Sequence, residues 1–130
     1  MPKNNKKKKI LRRRYSQGHI QVAEEFKSCG FKIRNEFYLN TFPYDMYIED
    51  LNLIVEYYGD RWHYNKNTYS PDFYDKIKNQ YAWEKWEKDE EKMDFAKKMG
   101  FNIEIIWQSE WKKTSNKKLF IQRIVKKYEK

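Results

Sequence analysis

Apolar and polar positions follow two rhythms along this chain, and the switches between them mark its elements. After Ser16, the positions His19, Ala23 and Phe26 recur at helical spacing with Val22 and Cys29 beside them; Ser16 can cap this helix and Gly30 can stop it. Phe31 and Ile33 begin a strand running toward Leu39. Phe42-Pro43 then opens a hairpin, with Tyr44, Met46 and Ile48 on one face of its first strand and Leu51 to Tyr58 as an almost unbroken β-prone second strand. Residues 60–80 are polar and aromatic, with Asn65, Asn67, Ser70 and Pro71, and read as a long loop with room for one helical turn. From Tyr81 to Met99 the rhythm is helical again: Trp86, Met93 and Ala96 share a stripe and Gly100 ends it. Phe101 to Trp107 is a further strand, and Leu119, Phe120, Ile124 and Tyr128 mark a closing amphipathic helix. This order predicts an α/β fold, a small mixed β-sheet flanked by helices.

The hairpin raises a question of chemistry. A turn centred on Asp50-Leu51 sets Asp45 directly opposite Glu56, and opposed carboxylates repel unless something offsets the charge. A divalent cation is one such offset, because hard cations take carboxylate oxygens. A register slipped by one residue instead puts the two acids on opposite faces, both solvated. Glu49 and Asp50 read as solvent-facing turn residues. A second acid is also out of place: Asp89 falls on the apolar stripe of the helix that follows. It needs a partner there, and two readings stay open, His63 or a surface lysine, Lys85 or Lys92.

Composition narrows the class. The chain's 130 residues form one domain, 15–130, whose core draws much of its bulk from five Trp, eleven Tyr and eight Phe. The single Cys29 excludes an internal disulfide framework and a multi-Cys zinc site, and reads as a small core residue. No apolar run reaches the length of a membrane span or a signal-peptide core, so the expectation is an intracellular protein, cytoplasmic or acting in a host cell if carried by a phage or virus, and not secreted. The net charge of +9 is concentrated at one end. Residues 1–14 hold eight of the 28 Lys and Arg and no acid, which leaves 20 cations against 19 acids elsewhere. This segment is too polar to pack and is expected to be a disordered arm, with Lys6, Lys7, Lys8, Lys9, Arg12, Arg13 and Arg14 as phosphate contacts; a localisation signal and a solubility tail are the other readings.

Two segments carry a resemblance. In YDMYIEDLNLIVEYYGDRWH an Asp is followed by a second strand, a Gly and a Trp-His pair; in DEEKMDFAKKMGFNIEIIWQSEW an Asp on a helix is followed by a Gly, an aromatic, an apolar strand and Ile-Trp. In order and spacing they resemble the very short patch repair (Vsr-like) endonucleases and the related EDxHD homing endonucleases of the PD-(D/E)XK nuclease superfamily, over roughly residues 16–111. The resemblance implies a restriction-endonuclease-like core and a metal-dependent DNA endonuclease using Mg²⁺ or Mn²⁺ on double-stranded DNA. It further implies that Asp45 is the metal-binding Asp, that His63 is the active-site His and that Asp89 orients it. Glu56 matches the second metal-binding acid of many superfamily members. Where the family's first helix carries a Glu this chain has His19; Gln108 stands for a frequent Glu and Tyr58 for the superfamily's Lys, and the repair enzymes' Cys-rich zinc site is absent. A homing or mobile-element nuclease is therefore the closer type.

In such an enzyme Asp45 and Glu56 hold the metal, while His63, His19 and Asp89 complete the catalytic set. Trp62 and Tyr64 are the aromatics expected to meet DNA, by stacking on bases or wedging between them. The alternative is a catalytically weakened nuclease-fold module, marked by His19, that binds DNA or RNA without cutting it. A structural protein with no nucleic-acid partner is the third reading.

Overall fold

The computed structural model describes residues 15–130; the basic segment, with the contacts expected of Lys6, Lys7, Lys8, Lys9, Arg12, Arg13 and Arg14, lies outside the described residues. The chain runs α1 (Gln17–Ser28), β1 (Arg34–Leu39), β2 (Phe42–Ile48), β3 (Leu53–Tyr58), β4 (Tyr74–Asp75), β5 (Gln80–Tyr81), α2 (Ala82–Lys98), β6 (Asn102–Trp107), α3 (Gln108–Lys113) and α4 (Lys117–Tyr128). Helices thus flank a small mixed sheet of order β1-β2-β3-β6, in which β3 pairs antiparallel with β2 and parallel with β6. No helix among the described residues is long and apolar enough to cross a membrane.

Local signals set the helix ends. Ser16 is extended and its side chain accepts from the His19 amide, satisfying one of the donors that a first turn leaves unpaired. Both α1 and α2 end in the same hydrogen-bonded motif. Gly30 and Gly100 adopt φ 93° and 90°, and the next residues, Phe31 and Phe101, donate back to Phe26 and Ala96.

β3 is interior to the sheet and buried at all six positions, which explains why it reads as an almost unbroken β-prone run, with Glu56 as its one charged residue. On one side lie α1, α3 and α4, around Phe26, Met46, Val55, Ile106, Trp111 and Ile121; on the other lies α2, with Phe37, Tyr44, Ile54 and Ala96. Cys29 packs, partly buried, at the edge of the first cluster. The β2–β3 register is Met46 to Val55, Tyr47 to Ile54 and Ile48 to Leu53, as a turn at Asp50-Leu51 predicts; a short 3₁₀ turn at Glu49–Leu51 and a left-handed Asn52 make the reversal.

Three expectations need correction. Tyr44 does not share a face with Met46 and Ile48, because the β1–β2 ladder skips the Glu36/Asp45 position, where Glu36 adopts φ 57°. The strand therefore changes face at Asp45. The segment 60–80 is not simply a loop: after one turn, closed by His63 N donating to Gly59 O, it forms the β4–β5 hairpin. Finally, α3 follows β6 without a break and has no counterpart in the sequence reading.

Candidate functional site

The break in β2 builds the site. Past Met46 the backbone ladder to β3 gives way to side chains: the Asp45 amide donates to Glu56 Oε1 (2.7 Å), and the Tyr57 amide donates to Asp45 Oδ2 (2.8 Å). Each acid thus accepts from backbone on the opposing strand. Glu56 lies inside the protein, 2% exposed, and Lys92 of α2 reaches its Oε2 at 2.8 Å. The offset that the paired acids require is present in the chain itself, as two amides and one ammonium. Burial first, and then the Asp45 charge, push the Glu56 carboxyl up to about 7, against the pull of Lys92.

Asp45 faces a cleft of about 420 Å³ that also receives His19 and His63, with Arg61, Trp62 and Gln108 at its sides. His63 follows the turn after β3 and is held from several directions. Its Nδ1 lies 2.8 Å from Asp89 Oδ2, so that nitrogen donates to the carboxylate and, in the neutral imidazole, Nε2 is the acceptor. Tyr58 stacks flat on the imidazole at 3.7 Å between ring centres, and Trp107 meets it edge-on. Trp86 Nε1 donates to the His63 and Tyr64 carbonyls, fixing the backbone beneath.

Asp89 is only 6% exposed and answers to both of its expected partners, His63 and Lys85, the latter at 3.0 Å. Burial pushes its carboxyl up, but His63 and Lys85 together hold it below the usual carboxylate range. His19, on the first turn of α1, sets Nε2 3.0 Å from Asn35 Oδ1, which makes that nitrogen the donor and leaves Nδ1 to accept. Close approach explains Gly18 beside it: a Cβ there would collide with the Tyr57 hydroxyl, and Tyr57 lines the same cleft.

The two aromatics expected to meet DNA part company. Trp62 is 52% exposed, with Lys78 and Arg61 over its ring. Tyr64 is fully buried, which corrects its assignment as a DNA contact: its hydroxyl donates to Asp75 Oδ2 (2.6 Å) and accepts from Gln80. Asp75 also accepts from Arg61 and from the Ile77 and Lys78 amides, and the Tyr64 bond is the chief reason its carboxyl falls to about 2. Tyr64 therefore braces the hairpin, and the braced Arg61 is what reaches the cleft.

Sequence reasoning offered Lys92 to Asp89 rather than to Glu56, and missed Arg61 and the stacking of the Tyr58 ring on His63. Lys92 carried a faint signal, one turn beyond Asp89 on the same helix, but its reach to Glu56 depends on how α2 crosses β3. Among the described residues, no group of three or more His, Cys, Asp or Glu side chains converges as a metal cage. No family model matches this chain, and no curated protein matches it significantly.

Proposed function

We propose that this chain is a metal-dependent DNA endonuclease of PD-(D/E)XK type, close to homing or mobile-element nucleases, that hydrolyses phosphodiester bonds in double-stranded DNA. The observation that carries the reading is the His63–Asp89 pair on the cleft that Asp45 faces. Phosphodiester hydrolysis needs a proton carrier beside an anchored phosphate, and an imidazole with one nitrogen pinned by a carboxylate serves that need.

Asp45 fits Mg²⁺ or Mn²⁺. One of its oxygens is tied to the Tyr57 amide and the other is left for a ligand, and Mg²⁺ typically takes one or two carboxylates while keeping several waters. Glu56 would join only by exchanging Lys92. When bound, the ion supplies a water of lowered pKa and draws charge from the phosphate. His63 then takes or gives the proton at Nε2 while Asp89 holds the tautomer, and His19 offers Nδ1 from across the cleft. Arg61, fixed by Asp75, brings a guanidinium suited to phosphate oxygens. Trp62 offers a ring for base stacking, and the basic segment before Tyr15 adds salt-dependent backbone contacts.

The test is cleavage of supercoiled plasmid by purified protein with Mg²⁺ or Mn²⁺ across a range of salt. Nicked or linear product is expected, lowered by about 10²- to 10⁴-fold in His63→Ala and lost in Asp45→Ala. Intact plasmid under all conditions, or full cutting by both variants, refutes the reading. Retention of plasmid without cutting would instead favour a binding module. One observation favours that second reading: His19, in place of the family's Glu, spends Nε2 on Asn35.

A further inference from the structure

Behind the His63–Asp89 pair lies a second cavity, of about 440 Å³, between α2 and β6. Its walls include the rings of Tyr58, Trp86 and Trp107, and Asp89 lines it too, so one carboxylate links the cavity to the His63 of the cleft. Tyr58 brings an unusual feature. Its hydroxyl is the one buried side-chain polar atom among the described residues without a hydrogen-bond partner, and an orphaned group of this kind calls for an explanation. Lys66 holds its ammonium 5.0 Å from the centre of the Trp86 ring, and neither Lys66 nor Lys97, also on the cavity, forms an ion pair among the described residues.

We propose that this cavity receives a nucleobase. Three rings favour a flat π-system over an aliphatic ligand. A base edge carries both donors and acceptors, and the cavity offers both in return, the carboxylates of Asp89, Glu90 and Asp94 as acceptors and the ammonium groups of Lys66 and Lys97 as donors. Lys66 and Lys97, which form no ion pair among the described residues, supply charge for the phosphate that a nucleotide brings, against the acids Asp89, Glu90 and Asp94 of the same lining. The base has two sources, a free mononucleotide or a nucleotide turned out of the duplex beside the cleft. The second source deepens the nuclease reading and rests on it, because it makes the enzyme read one base next to the scissile bond. In either case the occupant touches Asp89, and so bears on the carboxylate that positions His63.

The experiment has two arms on the full chain. In the first, each of the four deoxynucleoside monophosphates is titrated while tryptophan fluorescence is followed. Saturable quenching by at least one is expected, weakened about tenfold in Lys97→Glu and abolished in Ile105→Trp, which fills the cavity. Lys97 is exposed, so that variant keeps a folded control even if Ile105→Trp does not fold. In the second, duplexes carrying 2-aminopurine at successive positions are added with Ca²⁺ in place of Mg²⁺. A fluorescence change confined to one position, absent in the filled variant, identifies a base moved from the duplex stack into the cavity; quenching by mononucleotides without it assigns the site to free nucleotide. No quenching up to millimolar nucleotide together with no position-specific fluorescence change overturns the proposal, as does binding unchanged in both variants or displacement of nucleotide by spermidine alone. Plasmid cutting without any base binding would sink the pocket and spare the nuclease; base binding without cutting would do the reverse.

Discussion

Replacing Glu56 by Gln should stabilise the protein above neutral pH, although it removes the partner of Lys92. The folded carboxyl titrates near 7 rather than at the ordinary 4.5, chiefly through burial and then through the charge of Asp45. Between those two values the folded state keeps a proton that the unfolded chain has lost, so stability falls as pH rises across the window. At about 1.4 kcal/mol per pH unit, the loss comes to roughly 3 kcal/mol by the time Glu56 is ionised. Glutamine keeps the shape and the acceptor for the Asp45 amide but has nothing to titrate. The variant and the parent should therefore match near pH 4.5 and diverge steadily to pH 8, with the variant the more stable. Urea unfolding at several pH values, compared through midpoints at a common slope, reads this directly. A gap independent of pH, or one that widens in favour of the parent, would refute the reasoning and mean that Lys92 outweighs burial. Lys92→Met sharpens the test by removing the one cation on Glu56, which moves the upper end of the window above 7. Under the nuclease reading, a metal ion that recruits Glu56 would strip its proton, so Mg²⁺ should narrow the gap at pH 6.

Other outcomes follow from the same geometry. Asp89→Asn keeps the size of the side chain but withdraws the charge from His63; under the nuclease reading, plasmid cleavage should fall about 10- to 100-fold, the order seen when a partner that orients a metal-site His is lost, and a rate equal to the parent's would remove Asp89 from that mechanism. Gly18→Ala drives a methyl group into the Tyr57 hydroxyl, which costs about 1–3 kcal/mol or displaces Tyr57 from the cleft; unchanged melting together with unchanged cleavage would show that the approach is not tight. Tyr58→Phe keeps the stack on His63 and deletes a buried hydroxyl that has no partner, so the free protein should gain about 1 kcal/mol in thermal or urea unfolding; a loss of stability would reveal a bond to that hydroxyl.

What the sequence made legible were features encoded within a turn or two. Ser16, Gly30 and Gly100 carry their own caps and stops, and the Asp50-Leu51 turn sets a register that the hairpin obeys. Asp89 was legible for a different reason: an acid on an apolar stripe is costly, and the cost itself announces a partner. It found both candidates, His63 and Lys85, because a carboxylate has two oxygens to give. The features that stayed hidden depend on distant chain. Tyr44 turns to the α2 side where the β1–β2 ladder skips Glu36, which takes a left-handed backbone on the neighbouring strand, and nothing near Tyr44 encodes that. Tyr64 and Trp62 are alike in composition and two residues apart, yet one is buried and the other exposed. The difference is Asp75, eleven residues downstream of Tyr64, which collects the Tyr64 hydroxyl, Arg61 and two amides into one braced hairpin.

The paired acids sharpen the point. Opposed carboxylates on a hairpin call for positive charge, but the pattern along two strands cannot say whether a metal or a lysine brings it. Here Lys92 comes from a helix 36 residues away, and it is there before any ion binds. Under the nuclease reading, a metal at Asp45 would therefore meet a second acid whose charge is already offset. Its affinity should depend on how readily Lys92 yields, so Lys92→Met should tighten Mn²⁺ binding at pH 8, where Glu56 can still ionise, and weaken it near pH 6, where the raised carboxyl keeps its proton. Calorimetric titration of Mn²⁺ at the two pH values reads both signs, and equal affinities in parent and variant would place Glu56 outside the metal site.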